Sequence, residues 1–328
     1  MASIGLVLGA GGAVGRAYHA GVLAALEEHA GWDAREADVI VGTSAGSSIG
    51  SSLRAGITPA DHLARATGKP LSPAGQKIVG DIPVKLPLPS RPHGLRPIPV
   101  APRLVLHAVL RREWPRPGLA FAGLLPRGTE DGDVFAATAR KLHPKPWPDQ
   151  PLWACAVRLK DGRLSVFGRD AEPTPDIGKA VQASSAIPAF FEPVRIDGDE
   201  YVDGGVHSPT NADLVAGLGL DLVIVSSPMS AHRSALLWYR PGSLLRGYHG
   251  SLLRREIAAV KRSGTPVLVF EPGRHDLAEM GTNPMDPHLQ AGVARQAHRS
   301  ARALLERPSL SELLAHLGAD RKKAATGT

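Results

Sequence analysis

The chain has 328 residues, 43% hydrophobic, 21% charged and 5% aromatic, with a single cysteine, a net charge of +7 and a pI of 9.7. This composition suits a folded protein with a large core and excludes a disordered chain; the lone cysteine excludes an internal disulfide, and no apolar run approaches the ~18 residues that span a bilayer. The basic balance invites a nucleic-acid partner, but there is no zinc-ligand spacing, no basic region with heptads and few aromatic platforms, so no nucleic acid is expected.

The N-terminus, MASIGLVLGAGG, lacks a basic leader and enters a core strand at once, so a cytoplasmic location is the expectation. From Ile4 to about Leu53 the pattern alternates strand, Gly-rich turn and helix twice: ASIGLVLG, AYHAGVLAALEE, ADVIVG and AGSSIGSSLRAG. That reads as βαβα with a parallel sheet. Between Pro70 and Pro117 the chain holds eleven prolines and eight basic residues against two acidic ones. Proline at this density excludes regular helix and central strand. Only the run around Leu104–Arg112 has an apolar face that suits an amphipathic helix. The insertion at about 70–117 reads either as a lid or membrane-contacting element, or as a connection draped over the core. Its charge favours peripheral contact with an anionic membrane, and a merely solvated basic surface is the plainer alternative.

Strands resume in PLWACAVRLKDGRLSVFG, where Asp161-Gly162 centres a hairpin turn, so the sheet is expected to be mixed. Cys155 sits in the first of these runs and reads as a small core hydrophobe. A helix is expected from Asp176 to about Ser184, then short strands through AIPAFFEPVRIDGDEYVDGGV. Strands DLVIVS and TPVLVF alternate with helices that end in GVARQAHRSARALLERP. No repeat or linker interrupts the pattern, so one α/β domain is expected over 1–318, with a polar tail at 319–328.

Gly42-Thr43-Ser44-Ala45-Gly46 follows a strand and opens a helix, the context of a nucleophile elbow. Small residues two positions either side of Ser44 let the backbone bend sharply and hold the hydroxyl above the sheet. The run Gly9–Gly15 follows the first strand but fails the dinucleotide fingerprint in either register. Its consecutive small residues can present amides to a developing oxyanion, and Gly11 with Gly12 are the candidates; a tight turn without a ligand is the alternative. Most of the thirteen histidines lie in Arg-rich or Pro-rich surroundings that read as surface. Asp203, followed by Gly204 and Gly205, ends a short strand where the chain can turn away, so its carboxylate can be aimed across the top of a sheet. No acidic cluster has metal-ligand spacing, so no metal is expected.

Gly-rich run, G-x-S-x-G elbow and distant D-G-G together resemble the patatin-like phospholipase family. The resemblance also covers Ala183-Ser184-Ser185-Ala186-Ile187-Pro188. It implies an α/β fold with a mainly parallel, mixed central sheet flanked by helices. It further implies a cofactor-free serine hydrolase that cleaves lipid acyl esters through a dyad, with Ser44 as nucleophile, Asp203 as base and Gly11 and Gly12 as oxyanion donors. The expected partner is a lipid or acyl-ester substrate: phospholipid, lysophospholipid or glyceride. The chain departs from the family at Ala10, where glycine is usual, and at Val14, where a basic residue is common. Rival readings are a catalytically silent, lipid- or partner-binding relative, a nucleotide-binding α/β enzyme, and an ordinary triad with His207 as base.

Overall fold

A computed structural model describes residues 2–83, 89, 91–94, 96–100, 123–171, 173–232, 235 and 242–317. The amphipathic helix expected around Leu104–Arg112 and the tail at 319–328 lie outside these. The strands are β1 (Ile4–Leu8), β2 (Val39–Thr43), β3 (Arg96–Pro99), β4 (Pro126–Arg127), β5 (Leu152–Arg158), β6 (Leu164–Phe167), β7 (Val194–Ile196), β8 (Asp199–Asp203), β9 (Leu222–Ser226) and β10 (Val267–Phe270). The helices are α1 (Gly12–Ala30), α2 (Ala45–Arg54), α3 (Pro59–Thr67), α4 (Pro73–Val79), α5 (Asp133–Leu142), α6 (Ile177–Ser184), α7 (Ser243–Arg262), α8 (Arg274–Met280) and α9 (Gln290–Leu305).

Eight of the described strands form one sheet in the order β10-β9-β1-β2-β5-β8-β7, with β6 also pairing β5. The first five of that order run parallel, while β6 and β8 are antiparallel to β5 and β7 is antiparallel to β8. The sheet is therefore mixed, as the β5–β6 hairpin implied.

The strands read as continuous apolar runs because both faces are covered. Leu6, Leu8, Ile40, Ala154 and Ile224 point to one face, where α1, α2, α5, α6 and α9 supply the facing core. Val7, Val39, Val41, Cys155, Val223 and Val225 point to the other, against Leu253 and Val260 of α7. Each fully buried Leu or Val side chain contributes about 1.5–3 kcal/mol relative to exposure. Cys155 is fully buried beside them, and burial pushes its thiol pKa up to about 12, which keeps it unreactive.

The proline-rich stretch corrects one expectation. It contains the regular helix α4, because Pro73 occupies the first helical position, where no N–H is needed and the fixed φ is already helical. Ser72 caps it by accepting from the Gly75 N–H at 3.0 Å. Among the described residues of the stretch, β3, which contains Pro97 and Pro99, pairs with β4 in a two-stranded ribbon separate from the main sheet.

Candidate active site

Leu8 pairs with Gly42 at the carboxyl ends of β1 and β2, so the loops that follow these strands lie side by side. Across β5, Thr43 pairs with Cys155 and Asp203 with Ala156, which brings the end of antiparallel β8 level with the end of β2. Sheet register alone thus carries Gly11, Ser44 and Asp203 to one rim, at the strand ends where open α/β sheets bind ligands.

Ser44 forms the turn between β2 and α2 with φ 54 and ψ −114, a left-handed conformation costly for a side-chain-bearing residue, by about 1–3 kcal/mol. The geometry is over-determined around it. A Cβ on Gly46 would sit 1.9 Å from the Leu8 carbonyl oxygen, so only glycine lets α2 start this close to β1. The Ser44 N–H donates to Ser184 Oγ at 2.9 Å, and Ser47 Oγ donates to the Ser44 carbonyl at 2.7 Å. Ser44 itself is 3% exposed.

Asp203 is 4% exposed, and its Oδ1 accepts from the Gly205 N–H at 2.7 Å. Burial pushes its pKa up to about 7, against the opposing pull of the Ser44 side chain and the Gly205 amide, which both favour the charged form. Ser44 therefore interacts directly with a carboxylate far more basic than an exposed one. Gly204 and Gly205 begin the turn that leaves β8, as the D-G-G pattern suggested.

The Gly-rich loop is α1's N-terminus. Gly9 N–H donates to the Ser226 carbonyl, Ala10 N–H to the Pro209 carbonyl and Val14 N–H to the Pro284 carbonyl. The Gly11 and Gly12 amides between them have no hydrogen-bond partner among the described residues. Gly12 has φ 61, and a Cβ there would lie 2.7 Å from the Pro284 carbonyl oxygen. Helices α1 and α2 both begin at this rim, and their free amides and dipoles favour negative charge there.

A cleft of about 520 Å³ opens over these groups. Ser44, Asp203, Gly11, Gly12 and Gly205 line it, and its walls are otherwise mainly apolar, including Leu125, Ile187, Val206, Met229, Leu245 and Leu252. His207 also lines it, with Nδ1 2.9 Å from Asn211 Oδ1.

Several supporting residues gave no local signal in the sequence. His19, fully buried on α1, places Nε2 2.8 Å from the Gly9 carbonyl and Nδ1 2.8 Å from Ser226 Oγ. Burial lowers its pKa to about 4, so the ring is neutral: Nε2–H donates to Gly9 and Nδ1 accepts from Ser226. Asn211 Nδ2 donates to Thr43 Oγ1 at 3.0 Å, tying the chain after Asp203 to the elbow strand. Glu256 of α7 accepts from Thr210 Oγ1 at 2.6 Å and from the Ala212 N–H at 2.9 Å. His19, His62 and His143 are exceptions to the surface reading of most histidines, since all three are buried. No group of three or more His, Cys, Asp or Glu that can hold a metal occurs among the described residues.

Residues 6–216 match the family model described as Patatin-like phospholipase. The chain belongs to the patatin-like phospholipase family. The match begins in β1 and ends beyond Asn211, so it spans the elbow, the Gly-rich loop and the D-G-G turn. Among solved structures the chain is similar to VipD from Legionella pneumophila, at 17% identity and a TM-score of 0.43 over 93% of this chain and 66% of that one. It is also similar to the type III effector protein ExoU, at 17% identity and a TM-score of 0.35 over 93% of this chain and 53% of that one. The patatin-like chain thus spans just under two thirds of the first and about half of the second. None of its described helices is long and apolar enough to cross a membrane.

Proposed function

We propose that the protein is a serine hydrolase that cleaves lipid acyl esters, with Ser44 as nucleophile and Asp203 as its base. The observation that carries this reading is the meeting of a strained, buried serine with a buried carboxylate of pKa about 7, beneath an apolar cleft. Near neutral pH such a carboxylate is ionised in a large fraction of molecules and basic enough to accept a hydroxyl proton. Asp203 takes the Ser44 proton as Oγ attacks the ester carbonyl, and the Gly11 and Gly12 amides receive the charge that develops on the carbonyl oxygen. Collapse expels the alcohol, which leaves with the proton held by Asp203. Water then attacks the acyl-Ser44 ester, giving its proton to Asp203, and the acid is released as Ser44 is reprotonated. Neither a metal nor a cofactor takes part in this sequence.

The cleft's size and apolar walls suit an acyl chain. Leu244 and Leu245 at the start of α7 are 86% and 53% exposed, and Leu245 lines the cleft, so the mouth offers apolar contact to a lipid surface. Together with the net positive charge, this supports peripheral contact with anionic membranes from the cytoplasmic side. The single-domain reading of 1–318 belongs to the same proposal.

The test is release of p-nitrophenol from short- and long-chain acyl esters by wild type, Ser44→Ala and Asp203→Asn. Turnover in wild type that falls at least about 10³-fold in both variants supports the dyad. A folded wild type without turnover on any acyl ester, or an Asp203→Asn variant as active as wild type, removes it.

A further inference from the structure

A second cavity, of about 110 Å³, lies among α1, α2, α3 and α5. A smaller pocket, of about 20 Å³, adjoins both the cavity and the cleft through shared lining residues. It shares Ser44 and Gly12 with the cleft, and Arg16, Ser48 and Phe135 with the cavity. Ser44, Arg16 and Ser48 thus line one small pocket, which places the Arg16 side of the cavity next to the nucleophile. Along α2, Ser48 and Ser52 follow Ser44 at four-residue steps, each about 6 Å further along the helix.

Arg16 on α1 and Arg65 on α3 both line the cavity, and among the described residues no Asp or Glu does. The Arg16 guanidinium makes no hydrogen bond or ion pair among the described residues. Arg65 donates to the carbonyls of Ile82 at 3.1 Å and Pro83 at 2.5 Å and meets no carboxylate. His62, 6% exposed and also in the wall, leaves Nε2 without a partner. Burial lowers the pKa of Arg16 to about 10 and that of His62 to about 4, and the neighbouring Arg65 adds to both shifts. Two half-buried guanidiniums facing one partly open space without an acid among the described residues cost stability that a bound anion would recover.

We propose that this cavity is a phosphate-binding subsite, in which Arg16, Arg65 and His62 hold a phosphoryl group presented next to Ser44. Guanidiniums match tetrahedral oxyanions through forked N–H donors, and the hydroxyls of Ser48 and Ser52 lie along the approach. The first helical step from Ser44 is of the same order as the separation between an acyl ester and the phosphate of a glycerophosphate ester. On the proposed hydrolase reading, which this inference deepens, the acyl chain takes the apolar cleft while the phosphate of the head group enters between α1 and α2. Free phosphate has the same chemistry and can fill the same place.

Two arms test the subsite. In the first, the full chain is titrated with inorganic phosphate, against sodium chloride at matched ionic strength, and Tm is followed. Wild type is expected to rise by about 2–4 °C at saturation. Arg16→Met removes the half-buried guanidinium, so it should lose the phosphate response, and Arg65→Met should weaken that response. The second arm compares kcat/KM on an acylglycerol phosphate and on the uncharged acylglycerol of the same chain length. Either variant should lower the ratio of the two by about tenfold or more, with inorganic phosphate competing against the phosphorylated ester. A phosphate-dependent Tm that Arg16→Met abolishes, with no competition and an unchanged ratio, supports the subsite with phosphate taken from solution. Absence of a phosphate response in wild type together with an unchanged ratio in both variants overturns it. Ester turnover with neither a phosphate response nor a change in that ratio sinks the subsite and spares the hydrolase; phosphate binding without ester turnover does the reverse.

Discussion

Replacing Asp203 with asparagine should abolish activity and, above neutral pH, make the protein more stable. The ordinary carboxylate pKa of Asp203 is 3.8, and burial raises it to about 7 in the folded chain. Below pH 4 both states carry the proton, and the carboxyl is buried neutral. Between pH 4 and 7 the unfolded chain releases its proton while the folded chain retains it, so wild-type stability falls by about 1.4 kcal/mol per pH unit. Above pH 7 both states are ionised, and the accumulated cost levels off at about 4 kcal/mol, from three pKa units at about 1.4 kcal/mol each. Asparagine carries no charge at any of these pH values and keeps an oxygen to accept the Gly205 N–H. The stability difference between Asp203→Asn and wild type should therefore grow from near zero at pH 4 to about 4 kcal/mol at pH 8, about 6 °C in Tm for a chain of this size. Urea denaturation of both proteins at pH 4.5, 6 and 8 measures it, since every other titrating group cancels in the difference. A gap that does not change with pH, or a wild type more stable than the variant at pH 8, would refute the assignment of a buried, high-pKa carboxylate.

The same carboxylate sets the rate profile: if it is the base, kcat/KM on a soluble ester should rise with pH through about 7 and then level, whereas a flat profile from pH 5 to 9 would exclude it. Ser44→Gly should be inactive yet more stable than Ser44→Ala by about 1 kcal/mol in urea, because alanine keeps the left-handed strain at φ 54 that glycine does not feel. Gly46→Ala drives a Cβ to 1.9 Å from the Leu8 carbonyl oxygen, so α2 must shift; loss of at least about 3 kcal/mol, or of soluble protein, is expected in chemical denaturation. His19→Phe leaves the Gly9 carbonyl and Ser226 hydroxyl unpaired in a buried space, so it should cost about 1–3 kcal/mol and lower kcat more than it raises KM as the loop loosens.

The sequence carried the parts of the site that are local in the chain. Gly42-x-Ser44-x-Gly46 between strand and helix is legible because a sharp strand-to-helix bend demands small neighbours within two residues, and Asp203-Gly204-Gly205 because a chain must turn where a strand ends. The β5–β6 hairpin followed from Asp161-Gly162 for the same reason. What escaped depends on residues distant in sequence. Ser184 accepting the Ser44 N–H, Asn211 reaching Thr43 and Glu256 pinning the chain after Asp203 span many residues and have no pattern of their own. His19 lies among apolar helix residues, and only its two bonds across β1 and β9 explain its burial. His62 sits in PADHLARAT, close to the kind of Pro and Arg neighbours that made most histidines read as surface, yet it lines the cavity behind Ser44. Helix α4 was missed because proline was read as a breaker without regard to its position in the turn. The high pKa of Asp203 is a property of burial, which no single residue of Tyr201-Val202-Asp203-Gly204 announces.

Labelling with a fluorophosphonate followed by peptide mapping reports whether Ser44 is a nucleophile activated by Asp203. Wild type should gain one phosphonyl group on the peptide that contains Ser44; Ser44→Ala should gain none, and Asp203→Asn should label at least about 10²-fold more slowly while remaining folded. Labelling of a different residue, or equal rates in wild type and Asp203→Asn, would contradict the account.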